Sequence, residues 1–131
     1  MIRRELSIFL VVGVTTVLID FSTYRGLVWA GLGVDMAKAC GFLTGTVFAY
    51  AANKRWTFGH KQHAPGSAWR FLLLYGVTLG ANVLVNAVAL RSLAGAKGSV
   101  QIAFLLATAT SATLNFLGMK FFVFKTATQA T

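Results

Sequence analysis

Four stretches of about twenty mostly apolar residues, strung along one chain of 131, constrain this protein more than anything else in its sequence. A helix rises ~1.5 Å per residue, so about 20 apolar residues cross the hydrocarbon core of a bilayer. The stretches run from about Leu6–Trp29, Val34–Ala52, Trp69–Leu90 and Ser99–Gly118. In lipid the backbone must satisfy its own hydrogen bonds, which makes such runs helices. The expected fold is an all-α membrane protein: four transmembrane helices forming a single domain over residues 1–131. Two connections, AGLGVD and RSLAGAKGS, are rich in glycine and small residues, as tight helix–helix turns are. The middle one, NKRWTFGHKQHAPGSAWR, is longer and holds the only proline, Pro65, and both histidines.

Charge is scarce. Charged residues make up 11% of the chain, against about 25% in soluble domains, and no separate catalytic domain fits in the length. The net charge of +9 lies at the ends of the apolar runs. That placement suits anionic membrane lipids and argues against nucleic acid, whose readers need soluble basic faces. Arg3 and Arg4 before an apolar run could open a secretory signal. The run from Leu6 is too long for one, contains Asp20 and shows no cleavage site, so it reads as a retained span. Cys40 is the only cysteine, which excludes an intrachain disulfide.

Basic residues also predict orientation. Arg3, Arg4, Lys54, Arg55, Lys61, Arg70, Lys120 and Lys125 fall on one side; Arg25, Lys38, Arg91 and Lys97 fall on the other. The excess places both termini and the middle loop in the cytoplasm. Trp56, Phe58, Trp69, Phe122 and Phe124 then form an aromatic belt at that face.

The chain also matches itself without a gap at an offset of 66. Arg4 falls on Arg70, Arg25 on Arg91, Lys54 on Lys120, Asp20 on Asn86, Thr44 on Thr110 and Phe58 on Phe124. Repeat 1 covers about 4–58 and repeat 2 about 70–124. Each holds two spans, so both start on the same side. The predicted architecture is a parallel tandem repeat of two-helix hairpins, unlike the inverted repeats of many transporters. Asp20 and Asn86 should share one depth, Arg25 and Arg91 another. Small residues recur every fourth position in the second span, at Ala37, Gly41, Gly45 and Ala49, a stripe that lets helix backbones approach closely in lipid. Gly76 and Gly80 mark the third span more weakly.

Three stretches carry a resemblance: FLVVGVTTVLID at residues 9–20, NKRWTF at 53–58 and LNFLGMKFFVF at 114–124. Together they resemble the GtrA-like family, and the membrane region fused to some dolichol-phosphate mannose synthases. The resemblance implies a multi-pass protein of the bacterial inner membrane that works beside a membrane-associated glycosyltransferase. It implies a polyprenyl-phosphate-linked sugar as the cargo, moved across that membrane for cell-surface polysaccharide glycosylation. By the gapless register, Asn53 meets Met119, while the asparagine of the last stretch is Asn115.

The residues suited to such work are polar ones inside the spans and cations at their ends. Asp20 is the only acidic residue well inside a span, where lipid exposure costs ~2.5–3.5 kcal/mol. Thr16 and Asp20 share a helix face, as do Thr78, Asn82 and Asn86. These stripes are expected to flank a groove. They could be a hydrogen-bonded knot that fixes packing, or a path for sugar hydroxyls or a coupling cation. A lipid phosphate needs cations at the boundary. Lys54, Arg55 and Lys120 offer them on the cytoplasmic side, Arg25 and Arg91 on the other, and Asn53 and Asn115 join them as substrate-binding candidates. For Arg3, Arg4, Lys61, Lys97 and Lys125, orientation alone accounts for the charge.

Other chemistry finds little footing. The pair in HKQH, His60 and His63, lacks further metal ligands and reads as an exposed loop. The GxG at Gly31–Gly33 lies in a turn and not after a strand. No nucleophile–base–orienter set is visible, so the chain reads as a non-enzyme without metal or cofactor. Three functions remain open: translocation of the lipid-linked sugar, anchoring of a glycosyltransferase, and proton-coupled export of a small cation through Asp20. Four thin spans scarcely enclose a sugar, which favours a homodimer or higher oligomer.

Overall fold

The computed structural model describes residues 2–59 and 62–127. Among them the chain forms four long helices: α1 (Ile2–Trp29), α2 (Val34–Ala52), α3 (Ser67–Ser92) and α4 (Ser99–Gly118). Two five-residue π-helical turns extend α2 and α4: π1 (Asn53–Thr57) and π2 (Met119–Val123). The elements group into two compact units, Met1–Lys61 and Gln62–Thr131. His60 and Lys61 lie outside the described residues, and with them the metal reading of HKQH and the orienting role of Lys61.

This is an all-helical membrane protein. Three segments are long and apolar enough to cross a bilayer: Ile2–Trp29, Ser67–Ser92 and Ser99–Val123. The expectation of four such runs thus narrows to three. The fourth helix, α2, forms where expected, but it carries Asp35 and Lys38 in its first two turns and small or polar residues along its length.

In the first unit α1 and α2 pack as an antiparallel hairpin. Asp20 of α1 meets Gly41 of α2, and Thr16 meets Gly45, so a step back along one helix matches a step forward along the other. The stripe expected from sequence is the face turned inward: Ala37, Gly41, Gly45, Ala49 and Ala52 are buried. A Cβ on Gly41 would lie 2.6 Å from the Asp20 carbonyl oxygen. Only glycine permits that approach. Bulky residues point the other way: Val14, Val17, Leu18 and Phe21 on α1, and Phe42, Leu43 and Val47 on α2, are exposed. Small residues inside and large ones outside is the pattern of helices packed in lipid. The turn between them passes through Gly31 at φ +104°, a region that favours glycine.

In the second unit α3 and α4 also pack as a helix pair. Asn82 of α3 bonds Ser111 of α4, and Leu74 lies against Gly118. Ala103 and Ala107 are buried where α4 faces α3. A Cβ at Gly76 or Gly80 would meet nothing within 4 Å, so those glycines make no close helix contact among the described residues.

Both helix ends widen in the same way. Phe58 N–H donates to the Asn53 carbonyl at 2.9 Å, and Phe124 N–H to the Met119 carbonyl at 2.8 Å. Each is a five-residue step, and the positions stand 66 apart, as Arg4 and Arg70 do. Phe58 and Phe124 are both fully buried. The basic–aromatic phrases NKRWTF and KFFVF are therefore the same object in each unit, a π turn closed by a buried phenylalanine. Such turns frequently mark functional sites.

Candidate functional site

Two features of each unit bear on function: a polar seam along the helix pair, and a basic–aromatic corner at the π turn.

The seam of the first unit is built on Thr16 and Asp20, both half-buried. Thr16 hydroxyl donates to the Val12 carbonyl at 2.8 Å and thereby satisfies itself within α1. A Cβ on Gly41 would also lie 2.8 Å from Asp20 Oδ1, so the carboxylate itself is laid against α2. In the second unit Asn82 Nδ2 donates to Ser111 Oγ at 2.8 Å, and Ser111 passes its own proton to the Ala107 carbonyl at 3.0 Å. One turn further along α4 is Asn115, whose Oδ1 is buried with no hydrogen-bond partner. Asn86 is half-buried. Thr16 lies against Gly45 in the first unit and Asn82 bonds Ser111 in the second, and these two pairs stand 66 residues apart in the sequence.

At the corner of the first unit, Asn53 is buried and its Nδ2 donates to the Ala49 carbonyl at 2.8 Å, while Thr57 hydroxyl donates to Asn53 Oδ1 at 2.7 Å. Glu5 on α1 is also fully buried. Lys54 is exposed, its Nζ 5.6 Å from the Tyr50 ring. Arg55 and Trp56 are exposed too, and Trp56 meets Phe48 edge-on at 6.4 Å. Beside them opens a cavity of about 570 Å³, with Arg4, Arg55 and Trp56 in its lining and Ile8, Val11 and Phe48 among its apolar walls.

The second unit resolves the matching corner differently. Glu5, Asn53 and Thr57 correspond to Phe71, Met119 and Val123, all buried. Where the first corner is hydrogen-bonded, the second is apolar. Arg70, the match of Arg4, is 4% exposed. Its guanidinium donates to the carbonyls of Phe122 and Val123 in π2, each at 2.8 Å, and to those of Ala64 and Pro65 in the preceding loop. The two in π2 are carbonyls that a helix end leaves open, and the same fork ties them to the loop. The same loop pairs with the segment after π2: Ala64 N–H donates to Lys125 and Ala127 N–H to Gln62. His63 faces Thr126 there and lies 5.1 Å from the Phe124 ring. Lys120 is half-buried, with Nζ 5.7 Å from the Phe121 ring.

Arg25 and Arg91 are exposed near the far ends of α1 and α3. Beyond Arg25, Lys38 Nζ stands 5.4 Å from the Tyr24 ring, within cation–π range.

The family model for the GtrA/DPMS transmembrane domain matches residues 8–124. The chain belongs to the GtrA/DPMS transmembrane-domain family. A Bacillus subtilis (strain 168) protein, the uncharacterized membrane protein YngA, is 30% identical over 122 residues, which cover 92% of this chain and 80% of that protein. In this GtrA/DPMS domain the match takes in both π turns and both seams.

Three residues of this chain escape a reading by sequence. Glu5 stands beside two arginines and looks like a surface charge, yet it is buried. Arg70 reads as one more cation of the middle loop and turns out to hold that loop to π2. Arg4 reads as an orienting charge and lines a cavity. Only the 66-residue register hints that Arg4 and Arg70 occupy one structural position.

Proposed function

We propose that the protein translocates a polyprenyl-phosphate-linked sugar across the bacterial cytoplasmic membrane, supplying cell-surface polysaccharide glycosylation. In this reading all four helices cross the membrane as two parallel hairpins of a tandem repeat, with both termini and the π turns in the cytoplasm. Family membership supports the pathway, since GtrA/DPMS membrane domains are associated with polyprenyl-phosphate sugars.

The observation that carries the mechanism is Asp20 on Gly41. A carboxylate well inside an apolar helix is costly in lipid unless protein or water receives it. Here the opposing helix gives up its side chain to admit it. The seams of Thr16 and Asp20, and of Asn82, Asn86 and Asn115, supply donors and acceptors for sugar hydroxyls, the open Asn115 Oδ1 among them. Arg25 and Arg91 receive the phosphate on the far side, while Lys54, Arg55 and Lys120 serve the cytoplasmic side and Asn53, buried and hydrogen-bonded to Ala49 and Thr57, fixes the turn that carries them. The role is non-catalytic. A homodimer or larger assembly completes the path, and the headgroup moves while the prenyl chain stays in lipid.

The test is leaflet exchange of a fluorescent prenyl-phosphate glucose in vesicles containing the purified protein. Exchange above that of protein-free vesicles is expected. Asp20→Asn should slow it about tenfold, near the worth of one charge-assisted hydrogen bond, with helix content unchanged. Exchange equal to protein-free vesicles would remove the transport reading. A second reading, anchoring of a glycosyltransferase, is favoured by the exposed Lys54, Arg55 and Trp56 of π1. It predicts a co-purifying glycosyltransferase that loses activity without this chain.

A further inference from the structure

The geometry points to a lipid-phosphate site beside π1, held by Arg4 and Arg55 at the mouth of the first unit's cavity, with no matching arginine pair beside π2. It rests on the proposed handling of a phosphate-bearing lipid and names where that lipid is held.

Two cations line one end of the cavity, Arg4 and Arg55, with Trp56 beside them and Ile8, Val11 and Phe48 continuing the wall. Both arginines are exposed. The chain has three carboxylates for twelve lysines and arginines. Glu5 is buried, Asp20 is seated on Gly41, and Asp35 lies in the first turn of α2, at the opposite end of that helix from π1. Both exposed guanidiniums are placed to meet an anion at the cavity mouth. Two guanidiniums can each present a fork to phosphate oxygens. The lining follows α1 from Arg4 to Thr15, eleven residues or roughly 16 Å. That is about half of a ~30 Å hydrocarbon core, the reach of a lipid lying in one leaflet. Its volume of about 570 Å³ falls in the usual ~300–1,000 Å³ of ligand sites. A cationic mouth on an apolar slot fits a phosphate carrying a hydrocarbon chain better than a free anion, which would leave the slot empty.

The second unit cannot repeat this. Arg70, at the position of Arg4, is committed to four carbonyls, and the position of Arg55 is Phe121. A cavity of that unit lies at the far end of α3, away from π2, and is lined by Leu84, Val88, Leu93, Ile102 and Leu106 among others. The duplicated corner has specialised: one copy binds, the other braces.

The experiment labels the full-length protein, in phosphatidylcholine nanodiscs, with a photoactivatable farnesyl monophosphate. Crosslinks are expected on peptides covering residues 4–15 and 48–56. Arg4→Ala with Arg55→Ala should cut labelling about tenfold or more, with unlabelled farnesyl phosphate competing and neither farnesol nor inorganic phosphate doing so. Lys97→Ala should label as the parent does. Should the double variant fail to fold, Arg55→Phe, which installs the second unit's side chain, must show the loss. The inference is overturned if folded variants label within about twofold of the parent, if crosslinks fall in residues 62–127, or if inorganic phosphate displaces the probe. Arginine-dependent labelling without leaflet exchange would remove transport and keep the site. Exchange with labelling indifferent to both arginines would do the reverse.

Discussion

Gly41 lies so close to Asp20 that a methyl group on the glycine would sit 2.6 Å from the aspartate carbonyl oxygen and 2.8 Å from Oδ1. The obstacle is backbone, which cannot swing aside. Gly41→Ala therefore forces α1 and α2 apart and is expected to lower hairpin stability by about 1–3 kcal/mol, the range for overpacking. Gly13→Ala on the open face of α1 meets nothing within 4 Å and should stay within about 0.5 kcal/mol of the parent. Denaturation in detergent, followed by tryptophan fluorescence, separates the two. Equal stabilities would show that the close crossing does not exist.

Arg4 and Arg70 share a register position but not an environment. Arg70→Ala leaves four carbonyls without their donor, and losing charged hydrogen bonds at a buried site should cost about 3 kcal/mol or more. Arg70→Lys keeps the charge without the fork, so it should recover only part. Arg4→Ala, at an exposed position, should shift stability by less than about 0.5 kcal/mol. Thermal melting of the three variants makes the comparison, and a similar loss at Arg4 would contradict the division of roles.

The Asn82–Ser111 bond at 2.8 Å is a direct polar contact between α3 and α4. Polar pairs between membrane helices average ~0.6 kcal/mol and reach ~1.7. A double-mutant cycle with Asn82→Ala and Ser111→Ala should return a coupling in that range. A coupling near zero would leave the second seam without a packing role.

The helices were legible in the sequence because apolar length dictates them. The run expected from Leu6 begins at Ile2 and still ends at Trp29, and the second helix keeps its expected bounds, Val34–Ala52. The stripe from Ala37 to Ala49 was legible because four-residue spacing puts small side chains on one face. What escaped depends on where distant segments meet. Nothing in Arg70 itself says that Phe122 and Val123, more than fifty residues on, will return beside it. Burial of Glu5 depends likewise on the fold around it. The π turns leave no mark in composition; a repeated phrase signalled that something recurs, not that the helix widens there. The composition of α2, small or polar along its length, serves its packing on α1, which the length of the run alone does not reveal.

In the proposed reading one hairpin is written twice and stands twice in the same sense in the membrane, with α2 crossing as α1 does. Single cysteines at Arg25, Arg91, Lys54 and Lys120, each in a Cys40→Ser background, test it with a membrane-impermeant maleimide on intact cells. The account predicts labelling at positions 25 and 91, and protection at 54 and 120 until the cells are opened. Labelling of 25 and 91 from opposite sides of the membrane would contradict it.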